Sequence, residues 1–232
     1  MTTFAIGDAV FERLPDLCVG IVVARGVDNS HEYPEIDRML DEAVAEATGL
    51  LANIKASDDP RVQPYREAFH LLGMSPSRYP SSNIALLRRI AKGKGLWRVN
   101  PIVDLGNAIS ISYGLPLGAH VLKEGGMLEL RFSGEDDVFV PLGVEGPDAT
   151  LAPGELVYAE GNLIHTRRWT WRQSENGKVE PTTTGVVFPV DGFVGKNDAC
   201  VREACDDLAS RLHEVFGCEV TTSLASSERR TV

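Results

Sequence analysis

Apolar residues follow two different rhythms along the chain, and the rhythm changes near Met127. Before that point most segments repeat every three to four residues. The exception is LCVGIVVARGV, Leu17 to Val27, an apolar β-branched run ending in Gly that predicts a buried strand. From Pro34 to about Thr48, Ile36, Met39, Leu40, Ala43, Val44 and Ala47 share one stripe, which predicts a helix ended by Gly49. Pro60 to Leu72 repeats the pattern, with Pro64 in the first turn and Tyr65, Ala68, Phe69 and Leu72 on one side. Ser81 or Ser82 is placed to cap a helix carrying Ile84, Leu86, Leu87 and Ile90, which KGKG then breaks. Pro101 suits the first turn of a further helix running to about Tyr113 and closed by Gly114 and Pro116.

From Met127 to Pro189 apolar and polar residues alternate. MLELRF, VFVPL, ELVYAE, LIHTRRWTWRQ and TTTGVVFPV predict strands of a mostly antiparallel sheet. Asn176-Gly177 predicts a hairpin turn between the last two. Lys196 to Phe216 returns to helical spacing, with Ala199, Ala204, Leu208, Leu212 and Val215 inward and Gly217 as its cap. CEVTTSL predicts a short strand, and the polar tail SSERRTV a frayed end. The expected fold class is α+β, a mostly antiparallel or mixed sheet packed with helices. With no repeat and no flexible linker, residues 1–232 are expected to form one unit.

The 232 residues suffice for a real core. No apolar run approaches the roughly 20 residues that span a bilayer, so no membrane association is expected. The start, MTTFAIGDAVFERLPD, has no basic segment before an apolar stretch, and we expect a cytoplasmic protein. None of the four cysteines forms a CxxC pair, and neither a metal site nor a cofactor is expected. A net charge of -10 opposes general nucleic-acid binding, and no DNA partner is expected. One acid-free basic stretch remains: Arg88, Arg89, Lys92, Lys94 and Arg98. It reads either as a solvated helix end or as a face that docks one RNA.

The chain has no GxSxG elbow, Walker loop or HExxH motif. The candidate chemistry lies in NPIVDLGNAISISYGLPLGAH, Asn100 to His120. Asp104 and Asn107 sit three residues apart on an otherwise apolar helix, where they either brace backbone or line a polar cleft. In HTRRWTWRQ, alternation puts His165, Arg167, Trp169 and Trp171 on one side and Thr166, Arg168, Thr170 and Arg172 on the other. That segment reads as a Trp-anchored core face, or as an Arg and Trp lining for a ligand, with Arg168 and Trp169 as candidates. Glu160 either holds a substrate amine or pairs with an Arg.

RRIAKGKGLWRVNPIVDLGNAISISYGLPLGAH resembles the B3/B4 editing domain of the phenylalanyl-tRNA synthetase β chain, in which a V-D-x-x-N helix leads into a G-x-P-L-H-A turn. The likeness extends over roughly residues 75–195. It implies a free-standing protein that hydrolyses mischarged aminoacyl-tRNA in trans, with tRNA and a small amino-acid-like ligand as partners. Asn100, Asp104 and Asn107 keep the family pattern. The family's turn histidine falls at Gly118, with His120 two residues on, and its strand-end glutamate falls at about Pro189, with Asp191 two residues on. The resemblance therefore implies catalysis by His120, Asn107 and Asp104. Asn100 is expected to contact the substrate with them. The residue-based candidates Glu160, Arg168 and Trp169 are expected to join it, and the basic stretch is expected to contact RNA. Two alternatives remain: a non-catalytic module for tRNA or an amino acid, and a diverged amino-acid ester or amide hydrolase.

Overall fold

Strand β2 (Leu17–Arg25) is buried at every position but its last, because it lies inside a sheet covered on both faces. The computed structural model describes residues 3–148 and 150–232. β2 pairs antiparallel with β8 (Gly185–Phe193) and β9 (Glu219–Ala225), and β3 (His120–Val121) joins the far edge of β8. The order of this four-stranded sheet is β3-β8-β2-β9. A second sheet, of order β1-β4-β5-β6-β7, holds β1 (Phe4–Ile6), β4 (Leu128–Phe132), β5 (Leu156–Glu160), β6 (Leu163–Arg167) and β7 (Arg172–Gln173). Among the named strands of the described residues, only the β1–β4 pairing is parallel. The helices are α1 (Asp8–Arg13), α2 (Pro34–Leu50), α3 (Gln63–Leu71), α4 (Ser82–Ala91), α5 (Pro101–Tyr113) and α6 (Asp198–Phe216). The fold class is α+β.

α6 packs tightly on the four-stranded sheet. A Cβ at Gly20 would lie 2.4 Å from the Cys205 sulfur, and one at Gly192 would lie 2.4 Å from Val201 Cγ2. α5 crosses the same face, where a Cβ at Gly106 would lie 3.7 Å from Phe188 of β8 and press on Leu117 at 3.1 Å. The opposite face of β8 carries Val187, Pro189 and Asp191 and meets the second sheet, because β-strand side chains alternate. α5 itself is built as its sequence predicts. Asn100 caps it by accepting from the Val103 amide at 3.1 Å, and Gly114 closes it in the left-handed region with φ 69.

Several expectations are corrected. The strands form two sheets rather than one. Gly49 lies inside α2, which runs to Leu50. Residues 60–72 divide into a 3-10 turn, Pro60–Val62, and α3. Ser81 precedes α4, but its hydroxyl bonds to Asn83 rather than capping the helix. VFVPL forms only isolated bridges, Val138 to Leu163 and Pro141 to Ser174. Asn176-Gly177 lies in a 3-10 turn, and the following strand β8 belongs to the other sheet, so no hairpin forms. Ala199 is exposed. The tail is tied down, since Val232 exchanges backbone hydrogen bonds with Phe4 and Thr231 bridges Ala5.

The largest departure is in the Arg- and Trp-rich segment. β6 stops at Arg167, and Arg168 and Trp169 adopt positive φ of 51 and 62. Two consecutive non-Gly residues in the left-handed region cost on the order of 1 kcal/mol or more each. The turn swings the Trp169 indole into the interior between Tyr65, Phe69 and Phe193, with ring centroids 5.6–6.2 Å away. Arg167, only 2% exposed, folds back onto Glu155 and Asp148 at 2.6 and 2.7 Å. The regular alternation of side chains therefore ends at Arg167.

Candidate functional site

Between the two sheets lies a cavity of about 130 Å³. The chain leaving α5 supplies one wall. Leu117 bridges Val190, Gly118 donates its amide to the Pro189 carbonyl at 3.2 Å, and Asp191 donates its amide to Pro116 at 3.1 Å. These bonds hold the Leu117–His120 segment along β8, so His120 and Asp191 reach the cavity from neighbouring strands of one sheet. Gln173 of the other sheet braces the join by donating to the Ala119 carbonyl at 2.8 Å. Tyr158, Thr170 and Trp169 close the opposite side.

A Cβ at Gly118 would stand 2.8 Å from His120 Nε2. The His120 imidazole thus fills the space from which a side chain at 118 would grow. The shift from 118 to 120 is matched on β8, where 189 and 191 face the same side. A two-residue step preserves the face of an extended chain, which is why both groups still converge.

Asp191 is fully buried. Its Oδ1 accepts from the Tyr158 hydroxyl and from Trp169 Nε1, both at 2.6 Å, and its carbonyl accepts from the Tyr65 hydroxyl at 2.8 Å. Burial pushes its carboxyl up to about 7, against the pull of the two hydrogen bonds. Burial, aided by His165 nearby, holds His120 well below 6.5. The rings of His120 and His165 lie 5.6 Å apart, and burial lowers His165 to about 4. His120 Nδ1, Thr170 Oγ1 and both ring nitrogens of His165 lack a hydrogen-bond partner among the described residues.

These shifts set opposing pH slopes on stability. Asp191 has a raised value, so its contribution is complete below about 3.8 and is lost as pH rises through about 7. The two histidines have lowered values, so theirs is present above 6.5 and is lost as pH falls toward 4. Asp191→Asn removes only the first slope. The variant is expected to gain about 2 kcal/mol more than the parent between pH 5 and 7, read from urea midpoints at each pH. Equal slopes for the two proteins would contradict this.

A wider vestibule of about 500 Å³ shares Ser82, Gly118, Trp171 and Gln173 with the inner cavity. Asn107 is half-buried on its wall, and Trp97 and Arg89 form its lip. Asp104 does not join them. Both its carboxylate oxygens accept from the Val99 amide, at 3.1 and 3.2 Å, and it lines a separate recess with Asn100. Asn100 donates to the Val179 carbonyl at 3.0 Å besides capping α5. Asp104 and Asn100 therefore brace the entry to the helix. Glu160 lies outside the cavity lining, 3.4 Å from Lys123 and 3.8 Å from His165. Arg168 pairs with Glu155 at 3.0 Å and lies over Tyr79. Trp169 is in the cavity wall.

The basic stretch is divided. Arg98 pairs with Asp41 at 2.6 Å and Asp37 at 3.3 Å. Arg89 stacks 3.4 Å from the Trp97 ring, which is 70% exposed. Lys92 and Lys94 are exposed, and Arg88 is half-buried. No group of three or more His, Cys, Asp and Glu that could hold a metal ion occurs among the described residues.

Tyr158 and His165 had no site role in the sequence reading. Their only signal is polarity inside otherwise apolar strands, in LVYAE and LIHTR. Asp191 carries the same signal in GVVFPVDGF.

A family model described as the B3/4 domain matches residues 64–214. The phenylalanine–tRNA ligase beta subunit of Geobacter sulfurreducens is 27% identical over 153 residues, or 65% of this chain and 18% of that protein. The chain thus spans less than a fifth of that relative's length. A crystal structure of an N-terminal fragment of the phenylalanyl-tRNA synthetase beta subunit from Pyrococcus horikoshii is similar over 94% of this chain and 50% of that one, with a TM-score of 0.49 and 9% identity.

Proposed function

Because the chain belongs to the B3/4 domain family, we propose that it hydrolyses mischarged aminoacyl-tRNA in trans, with the aminoacyl ester held at the cavity between the sheets. The observation that carries this reading is the convergence of His120 and Asp191 on one cavity, each two residues from the family position. The reading takes residues 1–232 as one such domain, working in the cytoplasm; no helix among the described residues is long and apolar enough to cross a membrane.

An aminoacyl ester is already activated, so an oriented water suffices. Burial keeps His120 neutral at physiological pH, leaving one ring nitrogen as an acceptor for that water. The water oxygen bonds to the ester carbonyl carbon, and its proton passes by way of the imidazole to the departing ribose oxygen as the acyl–oxygen bond breaks. Asn107 on the vestibule wall offers an amide to the ribose or the carbonyl. The Trp97–Arg89 stack gives a flat face for a nucleobase, and Arg88, Lys92 and Lys94 offer charge for phosphates. Asp104, Asn100 and Arg98 act as structural supports in this account, and Arg168 holds the turn that delivers Trp169.

The test is a panel of mischarged tRNAs incubated with the protein. At least one ester should disappear faster than it hydrolyses spontaneously, and less so with Asn107→Ala. If none does, the enzymatic reading fails. Gly118 and Pro189, at the family's two acidic and basic positions, favour a second reading as a binding module; tRNA or amino-acid binding without turnover would support it.

Gly118→Ala adds one methyl group against His120 Nε2. A displacement of about 1 Å in a positioned group costs up to about 100-fold in rate. The variant should fold and lose clearance on that scale; an unchanged rate would show that His120 does not need its observed place.

A further inference from the structure

The geometry points to Asp191 as the counter-ion of a substrate ammonium group, so that the inner cavity selects compounds with a free α-amine. This rests on the cavity being the aminoacyl site. A buried carboxylate without a counter-ion is costly, and proteins usually compensate it with a paired charge. Asp191 has two hydrogen-bond donors on Oδ1, none from the described residues on Oδ2, and no basic side chain acting on it. It lies in the wall of an open cavity rather than in packed core.

Two further polar groups face the same cavity. Thr170 Oγ1 and His120 Nδ1, both on the same cavity, are buried and unpartnered among the described residues. A primary ammonium carries three donors. It can satisfy the free Asp191 oxygen and the Thr170 hydroxyl, and it leaves the adjacent carbonyl carbon on the His120 side. Glu160, the sequence candidate for this role, already has Lys123 within 3.4 Å. The consequence is specificity. Esters whose α-amine is acylated, such as peptidyl and formyl forms, lack the charge and are refused. So are α-hydroxy esters of the same size.

The test uses non-hydrolysable 3′-amide analogues of aminoacyl-adenosine, in alanyl, valyl, threonyl and phenylalanyl forms. Each is compared by calorimetry with its α-hydroxyacyl counterpart, which keeps the size and loses the charge. At least one α-amino analogue should bind on the order of 10- to 100-fold tighter than its hydroxy partner. In Asp191→Asn, which retains an oxygen for Tyr158 and Trp169, that preference should collapse while hydroxyacyl binding stays. Near-ultraviolet circular dichroism checks that the variant is folded, and the wild-type comparison stands without it. Equal affinity for the two analogues overturns the inference and leaves the deacylase reading standing. No binding by any analogue overturns both.

Discussion

Replacing His120 with alanine is expected to slow clearance of the preferred ester by about 100- to 1,000-fold, with KM nearly unchanged. The split follows from position. His120 is 1% exposed at the inner end of the cavity, whereas the surfaces proposed for the tRNA lie around the vestibule. The ring orients the water in the transition state and contributes little to ground-state binding, so kcat carries the loss. His120→Gln, which keeps one acceptor, should recover part of the rate. A loss in KM alone would assign His120 to binding, and no loss would remove it from the reaction.

The second large effect concerns the turn. Arg167 donates to Glu155 at 2.6 and 3.0 Å, to Asp148 at 2.7 Å and to Thr150 at 3.2 Å. Its guanidinium also lies 5.4 Å from the Phe139 ring centre. Arg167→Met removes the cation, leaving Asp148 without a charged partner and Glu155 with Arg168 alone beside the strained Arg168–Trp169 turn. Breaking a buried pair by removing one partner costs about 3 to 5 kcal/mol, and the partial exposure of Asp148 and Glu155 places this one near the lower bound. The melting temperature should fall by roughly 6 to 12 °C. Arg167→Met/Asp148→Asn should recover part of the loss, because Asp148 is the carboxylate left without a cation while Glu155 keeps Arg168. A shift below about 2 °C would show that the pairs contribute little. Because Trp169 leaves this turn to reach Asp191, some loss of clearance should accompany the loss of stability.

The helices were legible because their signals are local. Asn100, Pro101 and Gly114 bound α5 by capping geometry that a short window contains. The pairing of strands was not legible. β1 lies beside β4 and the tail beside β1, contacts between residues far apart in sequence that leave no periodic trace. The turn after Arg167 was hidden for a different reason. HTRRWTWRQ alternates without a break, and neither Arg168 nor Trp169 is a residue type that advertises positive φ. Tertiary bonds hold it there instead, from Leu156, Glu155 and Asp191.

The site was legible in part. The resemblance led to His120 and placed Asp191 two residues past a family position without giving it a role; the cavity brings the two together. The i, i+3 spacing of Asp104 and Asn107 left open whether they brace backbone or line a cleft, and the structure divides them, because Asp104 lies in the first turn. There its carboxylate takes up the amide of the chain entering the helix, so only Asn107 is left for the vestibule. Charge counting included Arg98 in the basic patch, although Asp37 and Asp41 on α2 engage it across the fold.

We propose that the cavity holding His120, Trp169 and Asp191 receives the aminoacyl group. The chain has three tryptophans, Trp97, Trp169 and Trp171, and only the Trp169 indole N–H is bonded to Asp191. Nuclear magnetic resonance of the three indole N–H groups, titrated with a tight-binding 3′-amide analogue, therefore reads the cavity directly. The Trp169 resonance should shift saturably, and Asn107→Ala should weaken the response. A saturable shift at Trp97 alone, with Trp169 unmoved, would place the ligand at the lip and contradict the proposal.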